Sequence, residues 1–252
     1  MNKEHWVELF RKFELPTYKM KLNGKTTGQS SVMRIGGNPW WPKGTERPRC
    51  NDGHEMSFIA QINLSDLPQN EQNIYGLVSF HYCIQCQNEG NMAFGWNYDE
   101  NKNYDVRVFP DLTLPVDGKS QIAEPVVSEP VADIEKVLEI PDVNDLPLEV
   151  SDLVPDEFFN YTPPDYDQFS FIPSDNVWAD LKHVHGTKVG GHPTWVQEPE
   201  WPPGSIDGKM IFVAQLDGLV GEIASWPDGA AFLFVDKDKE GKLIAEMGLQ
   251  HG

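Results

Sequence analysis

Residues 35–64 read IGGNPWWPKGTERPRCNDGHEMSFIAQINL, and residues 189–218 read VGGHPTWVQEPEWPPGSIDGKMIFVAQLDG. Aligned without a gap, at an offset of 154 residues, Gly36, Gly37, Pro39, Trp41, Glu46, Pro48, Met56, Phe58, Ala60 and Gln61 match Gly190, Gly191, Pro193, Trp195, Glu200, Pro202, Met210, Phe212, Ala214 and Gln215. A unit that contains a turn, a loop and a strand, and that occurs twice, implies a duplicated chain with its halves packed about an approximate two-fold axis. The predicted fold class is therefore mainly β with minor helix, internally duplicated into two similar β half-domains.

The parts of the unit have separate physical meanings. The paired glycines allow positive φ or close backbone approach, and Pro39 sets an extended turn ahead of Trp40 and Trp41. From residue 56 to 64, Met56, Phe58, Ala60, Ile62 and Leu64 alternate with Ser57, Ile59, Gln61 and Asn63, which is the period of a strand. Met210, Phe212, Ala214 and Leu216 repeat the alternation. Clusters of β-branched and aromatic residues predict further strands over 76–83, 104–109, 230–235 and about 243–247, with a turn at 236–241. Near the start, Trp6, Leu9, Phe10 and Phe13 recur at three- and four-residue intervals, predicting a short helix over 2–13 that docks one apolar stripe on the core.

The domain organisation follows: an N-terminal helix and lead-in over 1–30, a first half over 31–110, a connecting segment over 111–180 and a second half over 181–252, forming one compact domain. The connecting segment is the compositional outlier. Residues 111–175 hold 16 Asp or Glu against two Lys, a net of −14 out of the chain's −19. Their prolines exclude long helices except in gaps such as 131–138. Leu146, Leu148, Val150, Leu153, Val154, Phe158, Phe159, Tyr161, Phe169, Phe171 and Trp178 are too many apolar residues for a purely solvated tail. The expectation is a segment that wraps the two halves, with disorder around 118–130 as the alternative.

A net charge of −19 excludes nonspecific nucleic-acid binding, because the phosphate backbone would be repelled over much of the surface. No apolar run approaches the roughly 20 residues of a membrane span, and the start MNKEHWVELFRK lacks the apolar core of a signal peptide. The expected location is cytoplasmic, with no membrane and no nucleic-acid partner. Three cysteines make no disulfide framework, which agrees with a reducing compartment.

Those cysteines carry the sharpest chemical signal. Cys50 and His54, followed by Cys83 and Cys86, are two pairs of zinc-type donors, each beside a predicted strand, which is what a tetrahedral structural zinc site needs. The alternative is two buried thiols and a surface histidine. A redox role for Cys83-x-x-Cys86 lacks the strand-helix-strand context such motifs need. A second candidate site is a groove lined by Trp40, Trp41, Gln61, Trp195 and Gln215, where tryptophan offers a flat apolar face with one polar handle. Against that stand two simpler readings: the aromatics cap a core, and each glutamine amide satisfies the backbone of its own turn. His183, His185 and His192 cluster near the second turn, an arrangement open to metal or acid-base use. No Gly-x-Ser-x-Gly, phosphate-cradling loop or His-Glu-x-x-His is present, so no catalytic residues are assigned.

IGGNPWWP with MSFIAQINLSDLP, then VGGHPTWVQ with IFVAQLDG and the closing WPDGAAFLFVD, resembles the YwqG-like family of bacterial domains of unknown function. The likeness covers most of the chain apart from the acidic middle. It implies a mainly β, internally duplicated fold with no established catalytic residues. The pattern is more distantly similar to relatives of programmed cell death protein 2, which act as dedicated partners of a newly made ribosomal protein. Some members of both groups place cysteines near Cys50, Cys83 and Cys86, with Gly53 or His54 here standing where a further cysteine occurs. The function expected is a non-enzymatic protein-interaction module binding a basic protein, in a toxin-immunity or chaperone-like role. The alternative is a small-molecule-binding protein or enzyme using a groove between the halves.

Overall fold

A computed structural model describes residues 3–21, 33–36, 39–69, 73–88, 95–96, 103–115, 133–142, 145–154, 182–206, 209–217 and 229–251. Phe158, Phe159, Tyr161, Phe169, Phe171, Trp178 and the stretch 118–130 lie outside them. Two antiparallel sheets make up the fold. The larger has seven strands in the order β5 (Gly95–Trp96), β12 (Leu243–His251), β11 (Gly229–Lys237), β10 (Ile211–Asp217), β8 (Lys188–Gly190), β1 (Leu15–Lys21) and β7 (Asp133–Glu139). The smaller has four, β2 (Met33–Ile35), β3 (Ser57–Asn63), β4 (Leu77–Tyr82) and β6 (Tyr104–Phe109). A short strand, β9 (Pro203–Ile206), precedes β10.

The sheets face each other across one apolar core. Ile59, Ala60, Ile62, Val78, Phe80 and Tyr82 of the smaller sheet meet Val189, Val213, Ala214, Leu216, Leu233, Val235 and Met247 of the larger, all buried. Helix α1 (Lys3–Arg11) forms where the three- and four-residue spacing predicts. It buries Trp6, Val7 and Phe10 against Ile140, Leu146, Val150 and Val154, around the short helix α3 (Leu148–Ser151). Part of the connecting segment therefore packs on the domain.

The strand alternation needs one correction. Phe58 pairs with His81 and Ala60 with Phe80, so Ile59 is an extra residue, and Phe212 and Ala214 flank a matching irregularity opposite β11. A bulge of this kind shifts the phase of a strand by one. Ile59 consequently joins the core between the sheets, while Phe58 shares the outer face with Gln61 instead of following Ala60 inward. A second correction concerns 131–138, a gap compatible with helix, which instead holds β7, paired with β1 over seven residues.

Several local geometries recur at the 154-residue offset. Gly36 and Gly190 have φ of 62° and 75°. Ile35 pairs with Ala60, and Val189 with Ala214. The Met56 N–H donates to the Pro48 carbonyl at 2.9 Å and the Met210 N–H to the Pro202 carbonyl at 3.2 Å. Isolated bridges join Arg49 to Glu55 and Pro203 to Lys209.

An ion pair with no exposed surface ties β1, β7 and β8 together. Lys188 Nζ lies 2.9 and 3.1 Å from the two Glu139 oxygens, with exposures of 0% and 1% for the two side chains. Glu139 also accepts from the Thr17 hydroxyl at 2.7 Å and from the backbone N–H of Val184 and His192 at 2.9 and 2.8 Å. Gly191 permits this approach. Its φ is +71°, and a Cβ there would sit 1.8 Å from Thr17 Oγ1 and 1.9 Å from Glu139 Oε1.

Candidate metal centre

Between Pro48 and Met56 the chain makes a tight knuckle on its way into β3. The Arg49–Glu55 bridge holds its base, the Cys50 N–H donates to the His54 carbonyl at 3.0 Å, and the Gly53 N–H returns to the Cys50 carbonyl at 2.9 Å. Gly53, with φ of 84°, takes the left-handed conformation that the turn requires. Arg49 reinforces it, donating from Nη1 to the Gly53 carbonyl at 2.8 Å. Cys83 follows β4 directly, and the short helix α2 (Ile84–Asn88) carries Cys86 back over it.

These two segments bring together all four donors that the sequence singles out. The Cys50, Cys83 and Cys86 sulfurs and one His54 nitrogen all lie within 4.8 Å of one another, and the cluster could hold a metal ion such as zinc. Cys86 Sγ is 3.2 Å from Cys83 Sγ and 3.5 Å from Cys50 Sγ; His54 Nδ1 is 3.5 Å from Cys86 Sγ and 3.9 Å from Cys83 Sγ. A tetrahedral ion bound through sulfur at about 2.3 Å and nitrogen at about 2.0 Å sets donor separations of about 3.5–3.8 Å. The Cys86–Cys50, Cys86–His54 and Cys83–His54 separations fit that figure within a few tenths of an ångström, and Cys83–Cys86 is about half an ångström short of it. The three cysteines are buried and His54 is half-buried, so the cluster is closed by protein.

The electrostatics explain what an ion would contribute. Burial raises the Cys83 and Cys86 thiols well above the usual range, and the neighbouring sulfurs raise Cys86 further. Burial also acts to raise Cys50, but hydrogen bonding from Cys86 and from the His54 backbone outweighs it and leaves that thiol lowered. Three thiolates this close cannot coexist without a cation, so binding an ion would release protons from them. Two supports went unread in the sequence. The Cys86 N–H points at Cys83 Sγ at 3.4 Å, and Asp52 Oδ2 lies 3.5 Å from Cys86 Sγ. Both belong to the knuckle and the helix turn, whose backbone course the sequence alone does not show.

Gln61 and Gln215, among the proposed groove residues, bond to backbone at matching positions of the two sequence copies. The Gln61 amide brackets Trp40, accepting from its N–H at 2.8 Å and donating to its carbonyl at 2.7 Å, and Gln215 accepts from the Thr194 N–H at 2.9 Å. Each glutamine, 3% exposed, thus staples a loop to its strand. Trp41 is buried, with its indole N–H on the Thr45 carbonyl at 2.9 Å, whereas Trp40 and Trp195 are half-buried.

Among the described residues His183, His185 and His192 join no cluster of metal donors. Burial pushes them down to about 3, 4 and 4, and nearby cations, Lys188 among them, add to the effect. His192 shares a hydrogen bond at 2.9 Å with the Phe13 carbonyl, and as a neutral ring it donates. No helix among the described residues is long and apolar enough to cross a membrane. The family model described as Domain of unknown function (DUF1963) matches residues 33–178, more than half of the chain and inclusive of all four donors. No curated protein matches the chain.

Proposed function

We propose a function from the premise that this chain belongs to the family described as Domain of unknown function (DUF1963): it is a non-enzymatic, acidic protein-interaction module whose first half is pinned by one structural zinc ion. The observation that carries the metal is the convergence of Cys50, His54, Cys83 and Cys86 within 4.8 Å. Four protein donors leave zinc no open position for substrate, which favours a structural role over a catalytic one. Bound there, the ion would link the knuckle before β3 to the end of β4.

The repeated GG-x-P and AQ-[ILV]-[DN] segments favour a YwqG-like member of the family, and the hydrogen bonds recurring at the 154-residue offset support an origin by internal duplication. The second copy has Gly204 where the first has Cys50, so zinc is an addition to one half. The net charge of −19 favours a basic protein as partner in the cytoplasm, since opposite charge steers association and makes it fast and salt-sensitive.

Elemental analysis of purified protein tests the metal; far less than one zinc per chain, with an unchanged melting temperature for Cys83→Ser, ends that reading. Affinity capture from the native organism at low salt tests the partner. A basic protein that elutes as salt rises is the expected result, and recovery of nothing specific would count against it.

A further inference from the structure

The three cysteine sulfurs do not stand in equivalent places. Cys86 Sγ lies 3.2 Å from Cys83 Sγ and 3.5 Å from Cys50 Sγ, so it touches both of the other thiols. A disulfide joins sulfurs at about 2.05 Å, and pairs already in contact reach that separation by small side-chain rotations. The Cys83–Cys86 pair also sits closer than the about 3.5–3.8 Å that a tetrahedral ion sets, on the side of a covalent bond.

Access to solvent separates them further. Cys83 and Cys86 are 0% exposed, whereas Cys50 is 5% exposed and stands in the knuckle, next to the exposed residues Asn51, Asp52 and Gly53. The cover over the cluster is one side chain thick. Asp52 is exposed, yet its Oδ2 lies 3.5 Å from Cys86 Sγ, and the half-buried His54 places Nδ1 3.5 Å from the same sulfur. Thiol oxidation follows access, so a small oxidant entering past the knuckle meets Cys50 first.

We propose that the cluster is a peroxide-responsive thiol–disulfide site, in which Cys50 is the first sulfur oxidised, Cys86 closes the disulfide, and release of the bound ion is the consequence. Only the last step rests on the zinc reading. First, the Cys50 sulfur attacks hydrogen peroxide: an S–O bond forms, the O–O bond breaks and hydroxide leaves, giving a sulfenic acid. The Cys86 sulfur then attacks the Cys50 sulfur across the 3.5 Å gap: an S–S bond forms, the S–O bond breaks and a second hydroxide leaves. Two electrons pass from the two thiolates to peroxide, and two protons from solvent turn both hydroxides into water. Zinc keeps only Cys83 and His54 of its four donors, too few for a closed site, and departs. Cys83, in contact with Cys86, can take over the disulfide by exchange and expel Cys50, so Cys86 belongs to either bond. No strand-helix-strand frame is required, because the oxidant is peroxide and not a substrate disulfide.

The test uses the full-length protein, reduced and loaded with zinc, and treated with hydrogen peroxide beside a chromogenic zinc chelator. Free thiols are then alkylated and the peptides mapped by mass spectrometry without reduction. The expected result is one disulfide per ion released, always containing Cys86, with thiol and zinc binding restored by a dithiol reductant. In Cys50→Ser, loss of the Cys83 and Cys86 thiols is expected to be at least about tenfold slower, because both are fully buried. That readout needs no zinc in the variant, and the mapping on native protein needs no variant. Oxidation that runs to sulfinic or sulfonic acid without a Cys86 disulfide would overturn the site. So would oxidation at least about tenfold slower than that of free cysteine in the same buffer, which marks damage to a sealed core. Reduced protein that holds no zinc would remove the metal reading alone, since the disulfide map still decides this one.

Discussion

Replacing Glu139 by Gln keeps the shape of the buried ion pair and removes its negative charge. Lys188, with 0% exposure, is then left with the Thr194 hydroxyl at 2.8 Å and no counter-ion. Burial already acts to lower the Lys188 ammonium, and Glu139 is what opposes it. Without the carboxylate, the folded protein escapes a buried charge by releasing the proton. For a lysine of ordinary pKa about 10.4, giving up that proton at pH 7 costs about 4.6 kcal/mol, in line with about 3–5 kcal/mol for breaking a buried pair. In a chain of this length that corresponds to a loss of about 10–15 °C in melting temperature. The sign with pH is specific. The unfolded chain keeps Lys188 protonated below about pH 10.4 while the folded variant does not, so the deficit shrinks by about 1.4 kcal/mol per pH unit from pH 7 to 9. Urea unfolding followed by tryptophan fluorescence, on both proteins at pH 7, 8 and 9, measures this. A deficit under about 1 kcal/mol, or one that ignores pH, would refute the account of Lys188 as a charge held by one carboxylate. Lys188→Met should cost less, because Glu139 keeps the Thr17, Val184 and His192 donors.

Three other outcomes follow from particular groups. Because His183, His185 and His192 are held neutral at about 3, 4 and 4, their contribution to stability is complete above about pH 6.5 and is lost as the pH falls, by about 2 kcal/mol each at pH 5; His183→Gln should reduce by one the protons taken up on acid unfolding, as read from the pH slope of stability. Asp145→Ala leaves the Trp195 and Trp201 indole N–H groups without their carboxylate and should cost about 2–4 kcal/mol with a red shift of tryptophan emission; an unchanged spectrum would contradict the docking. Zinc affinity, measured by competition with a chelator, should rise at least about 100-fold from pH 6.5 to 7.5, since Cys83 and Cys86 are both protonated when no ion is bound; a flat dependence would exclude thiolate ligation.

The sequence made some elements legible because their signals were local. Residues 104–109 cluster β-branched and aromatic side chains and form β6 over that span, and α1 shows its apolar stripe within about three turns' worth of sequence. At Phe58 and Phe212 the alternation misleads, because an extra residue in one strand changes phase only relative to the partner it pairs with. β1 contains Pro16 and two lysines, and β7 reads DIEKVLE, a pattern as compatible with helix as with strand. Each becomes a strand by pairing with the other across more than a hundred residues of chain, from Leu15 opposite Glu139 to Lys21 opposite Asp133. Tertiary pairing of that kind outweighs intrinsic preference and leaves no trace in a short window.

The candidate site shows the same division. Cys50, His54, Cys83 and Cys86 could be grouped from residue type and spacing, because few other side chains serve zinc and each pair sits beside a strong strand signal. Lys188 and Glu139 could not, since a single lysine between Thr187 and Val189 reads as a solvated residue until the sheet order seats β8 between β1 and β10. The three histidines near it are misread for a related reason: clustering in sequence suggests ligands, whereas their partial burial keeps each ring neutral and makes them acid-sensitive. Most informative are the positions where the two units differ at matched geometry. A residue shared by both units, such as Gln61 and Gln215, performs the same backbone task twice and says nothing about what one half does alone. Cys50 opposite Gly204, and Arg47 with His81 opposite Trp201 with Phe234, change the chemistry while the backbone stays the same. Both changes place polar or ligating groups in the first sequence copy, before and within the knuckle, and on β4.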